Sequence, residues 1–270
     1  MITATRAPQR LIAADVPPRR WLGVLGLTAL LGAWQLLAWR LADPATLAPP
    51  LEVARSFVKM LYEPFAGSTL VGHAAASLQR FAAGFLLSLV VGVPLGLTMG
   101  ASPVASALIT PVFNLLRFIA PIAWVPFAVL WFGTGFGGPL LIIFSGAFPA
   151  CVLGAYGGAR MTEPRLIEAA RTLGANPLRI VLEVTLPSAL PAIVSGMRVA
   201  AGSAWQSLVG AELIVASSGL AYTMVRGQMN RTIVIVLVGM LAIGLIGLAL
   251  DTGFAAFEKG IGRRQGRVSP

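Results

Sequence analysis

One polar stretch in the middle of an otherwise apolar chain decides how the sequence is interpreted. It reads Glu168-Ala169-Ala170-Arg171-Thr172-Leu173-Gly174 and is followed, after nine residues, by Val184-Thr185-Leu186-Pro187. Apolar side chains recur at helical spacing at Leu166, Ala169, Ala170 and Leu173, which predicts a short helix with one apolar face. Because long apolar segments flank this helix, we expect the chain to hold it outside the lipid, where a soluble partner can bind it.

The residues around this helix predict where it begins and ends. Thr162 is a candidate N-cap, with Glu163 and Pro164 in the first turn. Gly174 follows the last apolar residue, as is usual at a helix C-terminus. Asn176-Pro177 then begins a second helix, which Pro187 is expected to end.

A second face of the helix is charged. Arg165, Glu168 and Arg171 lie three apart, a spacing at which opposite charges stabilise a helix by roughly a few tenths of a kcal/mol per pair. An amphipathic loop lying on the membrane surface would show the same apolar stripe, so the pattern alone leaves that alternative open.

Composition places the chain in a membrane. Hydrophobic residues make up 57% of the 270 and charged residues 11%, with a mean hydropathy of +0.83, whereas a soluble domain carries roughly 25% charged residues. The net charge of +10 is dispersed, which favours basic cytoplasmic loops over nucleic-acid binding. Cys151 is the only cysteine, so no disulfide can form within the chain, and we expect a small buried apolar residue there.

Six segments are long and apolar enough to cross a bilayer, which takes about 20 residues per helix. They predict an all-α integral membrane protein with spans at Trp21–Leu41, Phe81–Met99, Val104 to near Phe132, Leu140–Gly157, Leu190 to near Ala216, and Ile233–Phe254. The third and fifth are long and contain Arg117 and Arg198, so a tilt or a break is expected in each. The first span is expected to be retained rather than cleaved as a signal peptide, because it is long and lacks a cleavage site.

The basic residues orient these spans. Twelve arginines and lysines lie in the two tails and in the stretch 160–179, against six in the loops of the opposite side, among them Arg80. Positive charge favours the cytoplasm, so we expect a multi-pass protein with both termini there, in an N-terminal tail at 1–20 and a basic tail at 258–270. The segment 42–80 is then periplasmic or interfacial, with a helical part near Leu51–Tyr62.

The polar stretch resembles the EAA loop of bacterial ABC-transporter permeases. That pattern is E-A-A, three residues, Gly, nine residues, an aliphatic residue, one residue and Leu-Pro, and the spacing here matches without a gap. The resemblance implies a type I ABC importer permease with its core at 81–257, in which the loop at 160–187 forms a coupling helix that docks on an ATPase subunit. The coupling residues it implies are Glu168, Ala169, Ala170, Arg171, Leu173 and Gly174.

Further motifs extend the resemblance over roughly Leu47–Gly262. They are Leu47-Ala48-Pro49-Pro50-Leu51-Glu52-Val53, Arg117-Phe118-Ile119-Ala120-Pro121-Ile122-Ala123-Trp124-Val125-Pro126, Leu130-Trp131-Phe132-Gly133, Ser218-Gly219-Leu220 and Leu248-Ala249-Leu250-Asp251. They are similar to motifs of the nitrate, taurine, alkanesulfonate and bicarbonate importers, although Phe118 and Ala120 replace prolines common there. That family implies a small anion as cargo, the bacterial inner membrane as location, and as partners two ABC ATPase subunits, a periplasmic substrate-binding protein and a second permease copy in a homodimer.

The chain shows no ATPase site of its own. A phosphate-binding loop has the pattern G-x-x-x-x-G-K-[ST], and neither lysine of the chain, Lys59 or Lys259, lies in that setting. We therefore expect a transport subunit that is not an enzyme and binds no cofactor or metal, while ATP and Mg are used by the partner ATPase. His73, the single histidine, is expected at the surface or at an interface.

Ionisable groups inside spans are costly and point to function. Arg117 and Glu212 are such groups, and with Trp124, Trp205 and Gln206 they are the candidates for a translocation pathway. Alternatively, Arg117 extends to an interface or pairs with Glu212, and the tryptophans serve packing. Arg198, near the cytoplasmic end of its span, is expected to extend its charged end to the interface.

Three glycines indicate close helix packing. Gly92, Gly96 and Gly100 lie four apart, which in lipid allows the backbones of two helices to approach, either within one subunit or between subunits.

Taken together, the sequence and the resemblance predict the membrane subunit of an ATP-driven importer that works by alternating access. An ion-coupled carrier or channel, or a membrane scaffold without transport, is the alternative, and an attached ATPase would distinguish the first from the others.

Overall fold

The computed structural model describes residues 20–41 and 46–264. Its α-helices are α1 (Arg20–Leu41), α2 (Pro50–Tyr62), α3 (Leu70–Ala101), α4 (Pro103–Arg117), α5 (Val125–Phe132), α6 (Gly137–Arg160), α7 (Pro164–Thr172), α8 (Pro177–Ile180), α9 (Leu186–Ile214), α10 (Leu220–Met229) and α11 (Ile233–Arg264). A 3₁₀ turn at Pro121–Trp124 precedes α5, and a π-helical turn at Val181–Thr185 joins α8 to α9. The predicted all-α fold is confirmed, and residues 1–19 and 265–270 of the predicted tails lie outside the described residues.

Five helical stretches among these residues are long and apolar enough to cross a membrane. They are Trp21–Leu41, Leu70–Ala101, Gly137–Arg160, Pro177–Ile214 and Ile233–Ile261. A sixth candidate consists of α4 together with Pro121–Phe132, and it bends by 88° at the break between them. The expected break in the third predicted span is therefore present, and it follows Arg117 directly.

The second span begins earlier than predicted, at Leu70 rather than Phe81. Thr69 caps α3 by accepting a hydrogen bond from the Gly72 amide at 3.3 Å. The first turns of α3 contain polar side chains, which made them resemble a loop, yet Arg80 is buried there. Arg80 therefore lies on α3 and not in a loop, and its place on the outer side of the membrane stays a prediction.

Pro187 does not end the second helix of the polar stretch, as the sequence had predicted. Helical backbone continues from Pro177 to Ile214, and Pro187 lies in the first turn of α9. The preceding π-helical turn, closed by the Leu186 amide on the Val181 carbonyl, shifts the hydrogen-bond register just before the proline. Because Pro187 lies inside this continuous helical stretch, it removes one backbone hydrogen bond there, and the π-helical change of register accompanies that loss.

Helices α3, α6 and α9 form the centre of the bundle through small residues. Gly92, Gly96 and Gly100 face α6, where an added Cβ atom would meet, in turn, Cys151, the Val152 carbonyl oxygen and Ala159. On the other side of α6, a Cβ on Gly154 would lie 2.8 Å from the Cα of Gly196 on α9. The predicted glycine stripe therefore packs within one chain, and Cys151 is buried as expected.

The first span packs lightly against the rest of the chain. Nearly all of its apolar side chains are exposed, and Trp34 anchors it by donating from Nε1 to the Ala48 carbonyl at 3.1 Å. Because an exposed apolar helix is stable only in an apolar medium, α1 is surrounded by lipid or by another membrane chain.

Candidate coupling and translocation sites

The polar stretch folds into the predicted short helix, α7, at one end of the bundle. Its first turn differs from the prediction, because the N-cap is Glu163 and Pro164 begins the helix. Thr162 is buried instead, and its hydroxyl caps nothing. Thr162 follows the end of α6 directly, so the chain turns from the bundle into α7 at this residue.

Gly174 makes the sharp turn that follows α7. Its φ angle is +80°, in the left-handed region that costs glycine least. The Ala175 amide donates to the Ala170 carbonyl at 3.0 Å and the Gly174 amide to the Arg171 carbonyl at 2.9 Å, the paired bonds of a Schellman motif. The next helix begins after Asn176 as predicted, and the Asn176 side chain caps it by accepting from the Arg179 amide at 2.8 Å.

The solvent-exposed face of α7 and of this turn carries both apolar and charged side chains. The side chain of Leu173 at the tip is 88% exposed, and Leu166, Leu178 and Leu182 are also exposed. The predicted ion pairs among the charged residues of α7 do not form in the described part of the chain. The ion pair observed nearby joins Arg179 to Glu183, outside α7, at 2.9 Å. The charged groups of α7 therefore remain free to meet a partner.

The opposite side of α7 rests on the end of the bundle. Ile167 and Arg171 line a cleft of about 410 Å³ together with the α3–α4 corner and with Thr185. The six predicted coupling residues, 168–171 with 173 and 174, thus lie on one elbow, formed by α7, its turn and α8, that is supported from below and exposed above. We call this segment, residues 164–180, the elbow.

Two of the five predicted pathway residues meet at the break after α4. Arg117 and Trp124 line one cleft between α4 and α6, which measures about 120 Å³. The guanidinium carbon of Arg117 lies 4.8 Å from the centroid of the Phe118 ring and 5.9 Å from that of Phe113. Its Nε atom is buried and has no hydrogen-bond acceptor among the described residues.

Gln206 lies in a neighbouring and more polar cleft of about 410 Å³. Ser203 and Ser207 of α9 line this cleft beside Gln206, and the 3₁₀ turn at Pro121–Trp124 forms its other wall. The same turn carries Trp124, so the two clefts flank one short segment of chain at the break.

The remaining two pathway candidates are buried in the bundle. Trp205 packs edge-on against Phe81, with ring centroids 5.8 Å apart, and its Nε1 donates to the Ile243 carbonyl at 3.3 Å. Glu212 pairs with Arg80 at 3.1 Å, so the predicted alternative of an Arg117–Glu212 pair is wrong. The structure therefore does not bring the five candidates into a single site.

A family model described as a binding-protein-dependent transport system inner membrane component matches residues 92–263. A Methanocaldococcus jannaschii protein named as an ABC transporter permease is 37% identical over 83% of this chain and 85% of its own length. The chain belongs to this family of ABC-transporter permeases. The taurine transport system permease TauC of Escherichia coli is 32% identical over 90% of the chain and 89% of its own length, and further relatives are named for bicarbonate, aliphatic sulfonates and nitrate.

The fold of this permease agrees with a solved member of the same kind of transporter. A chain of the MetNI methionine ABC transporter, in an inward-facing conformation, superposes with a TM-score of 0.56 at 21% identity, covering 69% of this chain and 95% of that chain. The sequence-based assignment to the permeases of the nitrate, taurine, alkanesulfonate and bicarbonate importers is confirmed by the relatives. The predicted coupling and pathway residues remain predictions.

Sequence reasoning missed a buried polar network at the end of the permease remote from the elbow. Three amides at the start of α10 are bonded by side chains: Gly219 by His73 Nδ1 at 3.2 Å, Leu220 by Ser77 Oγ at 2.9 Å and Ala221 by Glu212 at 3.1 Å. Contrary to the expected surface or interface position, His73 is only 1% exposed. The sequence did contain one indication that these residues share a helical face. His73 and Ser77 are four residues apart, and Ser77 and Arg80 are three apart.

Arg80 completes this network. It donates to Glu212 at 3.1 Å, to the Ser218 carbonyl at 2.8 Å and to the Ser218 hydroxyl at 2.6 Å. A Cβ atom on Gly219, whose φ is +120°, would overlap the Glu212 carboxylate. Only glycine therefore fits where the loop after α9 closes over the ion pair.

Arg198 forms a second set of ion pairs, nearer the elbow. It donates to Asp251 at 3.0 and 3.1 Å and lies 3.4 Å from Glu258, both on α11. The extension of Arg198 to a membrane interface stays a prediction. The structure identifies Asp251 and Glu258 as the partners of the Arg198 side chain. Among the described residues, no group of three or more His, Cys, Asp or Glu side chains could hold a metal ion.

Proposed function

We propose that this permease is the membrane subunit of an ATP-driven importer of a small anion. A periplasmic substrate-binding protein delivers the anion, two ABC ATPases bind at the elbow, and a second copy of the chain completes the pathway. Names of the relatives support an anionic cargo, since taurine, aliphatic sulfonates, nitrate and bicarbonate all carry an acidic or anionic group. Both termini and the elbow then face the cytoplasm.

The exposed elbow is the single observation that carries the proposal. Leu173 is exposed at the tip of the turn, beside unpaired charges. Burying a leucine stabilises a protein by about 1.5–3 kcal/mol. Because Leu173 is exposed, it does not contribute this free energy to the folding of the chain. Docking in a groove of a soluble subunit would bury it. Since the lysines of the chain lack a phosphate-binding loop, the energy for transport comes from that subunit.

The helix that leads away from the elbow suggests how movement reaches the far side of the membrane. Helical backbone runs without a gap from Pro177 to Ile214, which at 1.5 Å per residue is about 57 Å. Its elbow end carries Asn176 and Arg179, and its far end carries Glu212, which is bonded to α3 and α10. Closure of two ATPases would therefore tilt a single lever that is fixed to other helices at its far end, and this tilt would open the pathway to the opposite side.

An ion-coupled carrier fits the structure less well. Such a carrier needs a carboxylate in the membrane that can gain and lose its charge, and Glu212 is already held by Arg80, Ser77 and the Ala221 amide. Asp251 and Glu258 of α11 are both bonded to Arg198. The described residues thus offer little for ion coupling.

Co-purification tests the proposal with a matched pair of variants. Gly174→Asp introduces a charged side chain in the elbow, at a residue whose φ is +80°. Gly67→Asp introduces the same side chain near the other end of α3, at a residue whose φ is +93°. At both glycines, no atom lies within 4 Å of the position of the new Cβ. Tagged wild-type protein and Gly67→Asp should purify from native membranes with a nucleotide-binding protein that hydrolyses ATP, and Gly174→Asp should not. Purification of wild-type protein without any ATPase would contradict the proposal.

A further inference from the structure

The cleft between α4 and α6 has an unusual combination of one cation and several aromatic rings. Of the residues that line it, four are aromatic: Phe113, Trp124, Phe144 and Phe148. The only polar side-chain groups in its lining are the Arg117 guanidinium, the Ser145 hydroxyl and the Trp124 indole N–H. A ligand of this cleft would therefore meet apolar walls over most of its surface.

The rings hold one another in place. Phe148 packs edge-on against Phe113, with centroids 6.2 Å apart and planes at 69°, and is stacked with Phe144 at 5.0 Å and 26°. Trp124 packs edge-on against Phe127 at 5.8 Å. Because contacts of this kind restrict ring movement, the apolar walls are formed before any ligand arrives.

Arg117 carries a charge that nothing in the described part of the chain neutralises. The described ion pairs engage Arg80, Arg179 and Arg198 with carboxylates, but none engages Arg117. Two phenylalanine rings face its guanidinium, which compensates a part of the charge. An unpaired cation inside a membrane is costly, and an anionic group bound in the cleft would supply both the missing charge and hydrogen-bond acceptors.

Size and polarity together define the ligand. The cleft measures about 120 Å³, and an apolar cavity of about 150 Å³ accommodates benzene, so the enclosed part of the ligand has about six heavy atoms. A small inorganic oxyanion would lose its hydration against walls that offer few donors, which is unfavourable. The acid group of an organic anion would lose hydration as well, but burial of its apolar body would offset part of that loss.

We infer that the Arg117 cleft binds an organic anion with a compact apolar group, such as an aryl or branched alkyl sulfonate or carboxylate, in preference to inorganic oxyanions. The acid group contacts Arg117 and Ser145, and the apolar group lies among the four rings. The more polar cleft beside Gln206, on the other side of the 3₁₀ turn, is the adjoining part of the route. This inference rests on the proposed function and makes its substrate class narrower.

Calorimetric titration of the permease–ATPase complex in nanodiscs of neutral lipid tests the inference. Benzenesulfonate should bind, and nitrate at the same concentrations should not. Arg117→Gln should raise the Kd for benzenesulfonate by about ten- to a hundredfold, the usual effect of losing a hydrogen bond to a charged group. Arg160→Gln is the matched control, because Arg160 also faces an aromatic ring, Tyr156 at 5.7 Å, but lies outside the cleft, and its Kd should equal that of the wild type.

A second variant keeps the test independent of charge. Ser145 donates to the Ile142 carbonyl within its own helix at 2.8 Å, so Ser145→Leu retains the helix and fills the cleft, and it should abolish benzenesulfonate binding. Equal binding of nitrate, or unchanged binding by both variants, would overturn the inference. So would competition by anionic lipid that abolishes benzenesulfonate binding, since the cleft would then be a lipid site. Loss of the ATPase from the wild-type complex would instead contradict the proposed function itself.

Discussion

Arg80 donates to Glu212 across 3.1 Å, and both side chains are almost completely buried, in a part of the bundle remote from the elbow. The pair joins α3 to α9, and through Ser218 and the Ala221 amide it also fixes the start of α10. This contact accounts for the one buried carboxylate that the sequence had assigned to a pathway. Of the two ionisable groups predicted for the pathway, Arg117 is the one for which the described residues show no ion pair.

Breaking this pair should destabilise the permease strongly. Arg80→Met leaves the Glu212 carboxylate buried without its cation, which typically costs about 3–5 kcal/mol. The double variant Arg80→Met with Glu212→Gln removes both charges and should recover most of that loss. Thermal unfolding in detergent measures both, and a double variant less stable than the single one would contradict this account of the pair.

Gly96→Leu should prevent the close approach of α3 and α6. A Cβ atom at this position already meets the Val152 carbonyl oxygen and lies 2.8 Å from the Ala155 Cβ, and overpacking costs typically about 1–3 kcal/mol or more where backbone must move. Gly157→Leu on α6 is the control, because no atom lies within 4 Å of its Cβ. Unfolding temperatures in the same detergent should fall for the first variant and stay unchanged for the second.

Glu168→Lys should abolish uptake while leaving the protein in the membrane. Glu168 is exposed on α7 and has no described ion-pair partner, so its reversal should disturb docking of the ATPase and not the fold. Glu52→Lys, on an exposed position of α2, reverses the same charge away from the elbow. ATP-driven uptake in vesicles and the amount of attached ATPase are the readouts, and normal values for Glu168→Lys would remove this residue from the coupling site.

Arg117→Ala should impair uptake of the transported anion and leave ATPase attachment unchanged. Arg117 lines a cleft at the break after α4, whereas the elbow is built from residues 164–180. Uptake by whole cells is compared across sulfonates, nitrate and bicarbonate, using the anions that wild-type cells accumulate. Unaltered kinetics for every one of them would exclude Arg117 from the pathway.

The sequence predicted the parts of the fold that depend on local chemistry. Apolar length located the spans, Gly174 located the turn, and Asn176-Pro177 located the start of the next helix, because a left-handed turn and a helix start each favour particular residues. It could not predict that Arg80, His73 and Ser77 are buried, since their partners on α9 and α10 are more than 130 residues away. For the same reason, polar side chains that bond inside the bundle were interpreted as a loop.

The candidate sites divide in the same way. The elbow is a continuous segment, so its residues could be grouped from their spacing alone. The pathway residues come from separate helices, and only the structure shows that Arg117 and Trp124 share a cleft, that Gln206 lies in the next one, and that Trp205 and Glu212 are packed in the bundle.

Site-directed cross-linking at the tip of the elbow tests the central claim most directly. Cys151 is the only cysteine and is buried, so Leu173→Cys adds one accessible thiol, and Tyr62→Cys adds another at a position that is 79% exposed at the far end of the bundle. In transport-competent membranes, a short thiol-reactive photo-cross-linker should join Leu173→Cys, and not Tyr62→Cys, to an ATP-hydrolysing subunit. If Leu173→Cys is labelled but forms no cross-link to any ATPase while uptake continues, the elbow is not the site at which ATP drives this permease.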